Sequence, residues 1–274
     1  MIEIALLYCD EREVSADYRQ ALFRVARSMA VTGITPSTLQ DSVFNRWLAG
    51  ITLSQVTRSN YRRMGLTLWR HALDLKLTDY PIGKILRVKA PLRPPVAWSQ
   101  KELRLLLDRC SKEAGVFSSG CPKNLFWKGW VLAGYETGIR MSDLHNLRVD
   151  QCRDGRLWVV QHKTGQPLGK VLSPDCTSVL RELAEKGDGR TIFRWALSRR
   201  WVFTKFRPLV QSAGLSGSTK WLRRSGATAV EMVCPGSASR FLGHLSPHLA
   251  QKHYLDPTLL AETTPVPPCL IQRS

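Results

Sequence analysis

No Cys-x-x-Cys pair occurs in this chain of 274 residues, and its seven cysteines are scattered and odd in number. A disulfide framework is therefore not expected, and the thiols read as reduced, in a cytosolic setting. No apolar run approaches the ~20 residues that a membrane span needs. The stretch M-I-E-I-A-L-L-Y at the start lacks a basic leader and is interrupted by Glu3, so no signal peptide is expected. Neither internal repeats nor a low-complexity block is present. His244, His248 and His253 lie close together, but no Cys or carboxylate stands with them at a recognised ligand spacing. Zinc or another metal is not expected.

Acidic residues are scarce. Asp and Glu number 22 against 40 Lys and Arg, a net charge of +18 with a pI near 10.1. Self-repulsion that favours solubility is one reading of such a charge. Attraction to a polyanion is the other, and a pI this high favours nucleic acid. The charge is not confined to a tail: residues 1–95 carry a net +6 and residues 96–274 a net +12. Both halves are therefore candidates to face the same anion. Tyr61-Arg62-Arg63 and Arg199-Arg200-Trp201 combine arginine with an aromatic ring, as phosphate contacts do. A solvated basic face has the same composition.

The apolar content, 43%, suffices for ordinary cores, and the length suggests two domains. Residues 1–15 have mixed polarity and read as an extended arm. From Asp17 to Ala30 the spacing of Leu22, Val25, Ala26 and Met29 predicts a helix. Ser37 is a candidate N-cap for a second, short helix ending at Gly50, and Ser54 for a third, longer one. That third helix sets Tyr61, Met64, Leu68 and Ala72 on one face and Arg58, Arg62 and Arg63 largely elsewhere. Residues 1–90 thus read as a small all-helical domain, and the proline-bearing stretch 91–98 as a linker. A second domain, 99–257, opens on the capping box Ser99-Gln100-Lys101-Glu102. A buried helix follows to Glu136 and ends at Gly138. Between Arg156 and Leu172 the period changes to two around T-G-Q-P, which predicts a hairpin with Lys163 in its turn. Further helices are expected over 175–186, 198–213 and 220–232, with a short one after Ser237. Residues 258–274, with several prolines, read as an irregular tail. The predicted fold class is mainly α with a small β-sheet or hairpin.

Arg140, Lys163, Lys220, Arg223, His244 and Tyr254 recur along the second domain with chemistry in common. Attack on a phosphodiester needs cations for the non-bridging oxygens, a group to orient or deprotonate the nucleophile, and an acid for the leaving oxygen. Arginine suits the first task because its fork binds two oxygens at once. A lysine suits the last, and a tyrosine can be a nucleophile that stores the bond energy in a covalent ester. The boxes T-G-I-R-M-S-D-L-H-N-L, H-K-T-G, K-W-L-R-R-S-G-A-T, L-G-H and H-Y, in that order, resemble those of the tyrosine recombinases, or phage-type integrases. The resemblance covers Ser99 to about Pro257, and the helical region before it is similar to that family's core-binding domain.

The resemblance implies that Arg140 and Arg223 bind the scissile phosphate and that Lys163 protonates the 5′ oxygen. It implies that Asp143 buttresses the site, that His244 hydrogen-bonds the phosphate or the nucleophile, and that Tyr254 is the nucleophile. Arg58, Arg62, Arg63, Arg199 and Arg200 are the candidate DNA-backbone contacts. A mainly helical clamp on double-stranded DNA is implied, monomeric or weakly dimeric when free and tetrameric on paired sites. An accessory or directionality factor is a further candidate partner; no cofactor and no membrane is expected, and the implied location is cytoplasmic, with the nucleoid. No further N-terminal domain for accessory arm sites is expected either. Two positions depart from the family: Lys220 stands where histidine is usual, and Tyr254 follows His244 by ten residues where nine is more familiar. A lysine with an ordinary pKa of about 10.4 is a poor base at neutral pH, so Lys220 is expected to supply charge. A type IB topoisomerase-like enzyme and an inactive DNA-binding protein of the same fold are the alternative readings.

Overall fold

The structure, a computed structural model, describes residues 1–91, 93–244 and 246–261. Its contacts divide into two compact units, Met1–Arg93 and the part that begins at Pro94.

In the first unit, α1 (Ile2–Glu11), α2 (Ala16–Val31), α3 (Asp41–Gly50) and α4 (Gln55–Asp74) enclose a core of Leu22, Met29, Phe44, Leu68 and Trp69. Ser54 caps α4 as expected, accepting a hydrogen bond from the Thr57 amide at 3.3 Å. The expected N-terminal arm is instead the helix α1. Ile4, Ala5 and Cys9 are buried, and Glu3, Asp10 and Glu11 stay on the outer face. A stripe of three residues in ten is too short to declare itself by period. Ser37 does not cap a helix: it lies inside a 3-10 turn, Pro36–Thr38, and α3 begins only at Asp41.

After α4 the chain runs without regular structure, yet it is pinned residue by residue. The Asp41 carboxylate accepts from the amides of Gly83 and Lys84 at 3.0 and 2.6 Å. Asn45, one turn further along α3, accepts from the Leu86 amide at 2.9 Å and donates to the Lys84 carbonyl at 3.1 Å. Arg62 Nε donates to the Leu86 carbonyl at 2.8 Å, and the buried Trp69 indole donates to the Tyr80 carbonyl at 2.9 Å. Side chains thus satisfy the backbone groups that a strand or helix would otherwise satisfy.

The second unit is built on α6 (Lys123–Thr137), which is buried nearly all round by Phe126, Trp127, Trp130 and Val131. It is preceded by α5 (Gln100–Ser111) and followed by the short α7 (Met141–His145). The capping box at the start of α5 is formed in both directions between Ser99 and Glu102. Ala97 and Trp98, just before it, are buried in this unit, and the Trp98 indole donates to the Ser216 carbonyl at 2.8 Å.

A three-stranded antiparallel sheet comes next, β1 (Cys152–Arg153), β2 (Arg156–Val160) and β3 (Pro167–Val171), in that order. Leu157 pairs with Lys170 and Val160 with Pro167, the hairpin that the period-two pattern predicts; β1 is an addition to it. The remaining helices are α8 (Pro174–Lys186), α9 (Arg199–Ser212), α10 (Thr219–Val233), α11 (Ala238–Leu242), α12 (Pro247–His253) and α13 (Pro257–Ala261). The expected irregular tail therefore begins as a helical turn, and its residues 262–274, with Pro265, Pro267 and Pro268, lie outside the described residues. The class is mainly α with a small antiparallel sheet, as the sequence pattern predicts.

Candidate active site

Four of the sequence-marked residues meet where α10 passes the ends of α6 and α11. Arg223, in the second turn of α10, is buried at 4% exposure, and all of its hydrogen bonds go to neutral acceptors. Nη1 donates to the Gly138 carbonyl, and Nη2 donates to the Leu242 carbonyl at 3.1 Å and to His244 Nε2 at 3.0 Å. Among the described residues no carboxylate lies within ion-pair distance of Arg223 or Arg140. Burial pulls the Arg223 guanidinium down to about 10; the Tyr254 phenol opposes this and the Arg140 charge adds to it.

The backbone that receives Arg223 is built from two left-handed glycines. Gly138 ends α6 at φ +57°, and a Cβ there would stand 2.4 Å from the Phe241 ring. Gly243 ends α11 at φ +64°, and a Cβ there would stand 2.1 Å from Gln161 Nε2. Only glycine combines that backbone conformation with so little room. Each turn presents a carbonyl, Gly138 or Leu242, to the guanidinium.

Arginine can only donate, so His244 Nε2 accepts and the proton of the neutral ring sits on Nδ1. Nδ1 is buried without a partner. Burial first, then the charges of Arg223, Arg140 and His253, push the His244 pKa down to about 4. The imidazole is therefore neutral at physiological pH. Its ring centroid lies 4.9 Å from that of Tyr254, and Arg223 Cζ lies 4.9 Å from the Tyr254 ring centroid.

Tyr254 follows the last residue of α12 and is half-buried. It is held beside Arg223 of its own chain by its neighbours. Leu255 is buried in a small cluster with Ala227, Leu242 and Ala250. The Asp256 amide donates to Thr228 Oγ1 at 3.1 Å, and the Asp256 carboxylate accepts from the Ala97 amide at 2.8 Å. The stretch before α5 and the segment after Tyr254 are thus tied together.

Arg140 occupies the position just before α7, where its side chain makes no capping bond, and donates from Nη1 to Gln161 Oε1. Asp143, in the first turn of α7, is buried at 9% exposure; Oδ1 accepts from the His162 amide at 3.4 Å, and Oδ2 has no partner. It joins α7 to the hairpin turn that carries Lys163. Lys163 itself is exposed in that turn and makes no hydrogen bond among the described residues. Lys220 is likewise exposed, in the first turn of α10, one turn before Arg223. Among the described residues neither lysine is hydrogen-bonded to the cluster.

The remaining candidates differ in exposure. Arg199 and Arg200 open α9 and are exposed, and so is Arg63. Arg62 is tied to the Leu86 carbonyl, and Arg58 is half-buried with Nε unpartnered.

Two residues beside the cluster escape the motif reading, Gln161 and Lys170. Gln161 is fully buried, and its Nε2 donates to the Leu242 carbonyl at 3.2 Å. Lys170 Nζ donates to the Phe241 carbonyl and lies 3.9 Å from the centroid of the Phe241 ring. Burial, then the charges of Arg223 and Arg240, lowers its pKa to about 8. A signal for both exists in the sequence. Leu157, Val159 and Gln161 alternate inward on and just beyond β2, and Leu168, Lys170 and Leu172 do so along β3. Each series contains one polar residue at a core-facing position.

A mainly helical unit thus sets two arginines without ion-pair partners beside a neutral histidine and a tyrosine. Residues 98–258 match the phage integrase family, and the chain belongs to that family, the tyrosine recombinases. Among solved structures, it is similar to a dimer of lambda integrase residues 75–356 bound to a COC′ core site. The TM-score is 0.72 at 18% identity, over 90% of this chain and 96% of that one. It is also similar to XerH site-specific recombinase bound to a palindromic difH substrate after cleavage, with a TM-score of 0.71 at 16% identity over 96% and 83%. For the Tn1549 transposon integrase in complex with circular intermediate DNA the TM-score is 0.68 at 12% identity, over 95% and 97%. At these identities the likeness is one of fold. No curated protein sequence matches the chain.

Proposed function

We propose that this chain is a site-specific DNA recombinase that cuts and rejoins duplex DNA by transesterification. The observation that carries this reading is Arg223, a buried guanidinium bonded only to neutral acceptors, with the Tyr254 ring beside it. A buried cation with no carboxylate within ion-pair distance is costly, and a phosphate supplies that close counter-charge when it binds. Arg140 and Arg223 hold the non-bridging oxygens of the scissile phosphate, and Lys220 adds charge at its edge. The Tyr254 oxygen attacks phosphorus, a P–O bond to tyrosine forms, and the P–O5′ bond breaks. The phenol proton leaves to water at the open side of the half-buried tyrosine, and Lys163 protonates the departing 5′ oxygen. The products are a 3′-phosphotyrosyl ester and a free 5′ hydroxyl. Attack by a 5′ hydroxyl reverses the step, so no high-energy cofactor is consumed.

Asp143 keeps the Lys163 turn against α7. Arg63, Arg199 and Arg200 contact the DNA backbone, with Arg58 and Arg62 contributing less because the protein itself holds them. Lambda integrase has been captured as a tetramer bound to a Holliday junction, and this chain is expected to act as a tetramer on paired sites.

The test uses a nicked duplex carrying the sequence that the Tyr254→Phe protein selects from a random pool. The native protein should form an adduct that survives SDS, and Tyr254→Phe should form none. Absence of an adduct with the native protein would sink the proposal. Joining of two such sites, without relaxation of plasmids that lack them, separates a recombinase from a topoisomerase.

A further inference from the structure

We propose that Gln161 is the positioning residue that aims Arg140 and Arg223 at one phosphate, an inference that rests on reading the site as a phosphodiester-cleaving centre. Its side chain is fully buried at 0% exposure, between the two arginines' supports. Oε1 accepts from Arg140 Nη1. Nε2 donates to the Leu242 carbonyl at 3.2 Å, the same oxygen that accepts from Arg223 Nη2 at 3.1 Å. One amide and one carbonyl therefore join the two guanidinium groups into a single chain of hydrogen bonds. The amide orientation is fixed by its partners: arginine only donates and a carbonyl only accepts, so oxygen must face Arg140 and nitrogen must face Leu242.

The backbone of Gln161 reaches the other members of the site. Its carbonyl accepts from the amides of Thr164 and Gly165 at 3.2 and 2.8 Å, and its amide donates to the Gln166 carbonyl at 2.9 Å. These bonds close the turn that carries Lys163. Its Nε2 also fills the space where a Cβ on Gly243 would stand, 2.1 Å away, next to His244 in the chain. A shift of Gln161 would thus be felt at Arg140, at Arg223, at the lysine turn and at the histidine.

A neutral amide does here what a carboxylate could not. Glutamate at 161 would form an ion pair with Arg140 and compete with the phosphate for its charge. It would also set an acceptor against the Leu242 carbonyl, with no donor between them. Methionine would fill the same volume but leave an Arg140 donor and half of the Leu242 bonding unmet. Glutamine orients the cation and leaves its charge available.

The experiment measures single-turnover cleavage of the selected nicked duplex by full-length Gln161→Met and Gln161→Glu, at saturating protein. Each variant should lose ~10- to 100-fold in the cleavage rate, about 1.4–2.7 kcal/mol, while the protein concentration for half-maximal DNA binding changes less than about threefold. A second duplex carries a methylphosphonate at the scissile position. Its phosphorus centre is neutral and has one fewer oxygen for a guanidinium to hold. On it, the gap between native and Gln161→Met should shrink at least about fivefold, because less charge depends on aimed arginines. A gap of equal size on both duplexes would mean a general structural role and overturn the proposal, as would native rates in both variants. Should Gln161→Met fail to fold, the nearly isosteric Gln161→Glu carries the same comparison. The native protein separates the two claims: no adduct with it refutes the catalytic reading, whereas a normal adduct with unaffected variants refutes only the role of Gln161.

Discussion

Replacing Lys170 with methionine tests how the molecule carries a half-buried cation beside the Arg223 cluster. Lys170 points inward from β3 and meets the Phe241 carbonyl and ring. Burial, with Arg223 from α10 and Arg240 from α11 adding repulsion, lowers its pKa from 10.5 to about 8. In the unfolded chain the ordinary value returns. Between pH 8 and 10.5 the unfolded chain holds a proton that the folded chain has lost, so stability rises with pH across that window. Below pH 8 both states are protonated, and the folded state bears the full cost of the buried charge. A shift of this size corresponds to at most ~3.4 kcal/mol. Lys170 is only partly buried, and solvent screening reduces the figure to about 1–2 kcal/mol. Methionine removes this dependence but also leaves the Phe241 carbonyl without its donor, a cost of ~1 kcal/mol that does not vary with pH. The informative quantity is therefore the difference between the two pH profiles. In urea unfolding followed by tryptophan fluorescence, the stability of Lys170→Met relative to native should fall by ~1 kcal/mol or more between pH 7 and 9.5. Parallel profiles would show that the lysine charge is not desolvated as the geometry requires.

Gly226 lies where α10 crosses α6, and a Cβ there would stand 2.2 Å from the Tyr135 carbonyl oxygen. Gly226→Ala should force the helices apart and cost about 3 kcal/mol in urea unfolding; a loss below ~1 kcal/mol would show that the crossing is softer than its geometry. His244 is held neutral with a pKa near 4, so the folded chain lacks a proton that the unfolded chain takes up below pH 6.5. Native stability should accordingly fall more than that of His244→Asn as pH drops from 6.5 to 4.5, by ~1 kcal/mol after allowance for exposure, and equal slopes would contradict an imidazole held neutral by burial and its cationic neighbours. Binding to the selected duplex should weaken steeply with salt, with a log–log slope of about −5 or steeper if six or more phosphates are contacted. A flat response would contradict a basic DNA-binding surface.

The helices of both units were legible wherever a stripe ran for three turns or more. Leu22, Val25, Ala26 and Met29 in α2, and Leu103, Leu106 and Cys110 in α5, are buried as their spacing predicts. Ser54, Ser99 and Gly138 mark helix ends in the sequence and in the structure. Legibility fails where the interaction is long-range and aperiodic. The path from Tyr80 to Leu86 is set by Asp41, Asn45, Arg62 and Trp69, which lie 11 to 43 residues away in sequence. No local pattern encodes such bonds. Within the site, residue type alone did not mark Arg223, His244 and Tyr254; the order of the boxes that contain them, and the family they resemble, made them candidates. The residues that orient them were not announced. Gln161 is an ordinary glutamine until the strand places it inward, and Gly138 and Leu242 contribute only a carbonyl, which every residue possesses.

One physical requirement unites three neutral groups around the arginines. A carboxylate beside Arg223 would stabilise the free protein, but it would also compete with a phosphate for the same donors. The chain instead offers the Gly138 and Leu242 carbonyls and the lone pair of His244. These accept from both Nη atoms, with Nε left unpartnered, and fix direction while leaving the net charge unneutralised. The depressed pKa of His244 belongs to the same arrangement: an imidazolium there could not accept from Arg223, and its charge would repel both arginines. Gln161 in place of glutamate follows from the same argument at Arg140. Asp143 and Asp256, the buried acids nearest the cluster, form no ion pair with either arginine among the described residues; they accept from the His162 and Ala97 amides instead. The price in stability of leaving two cations unpaired in the free protein is therefore linked to the affinity that those cations retain for a phosphate. An acid at 161 should therefore slow the enzyme, because its charge competes with the phosphate for Arg140.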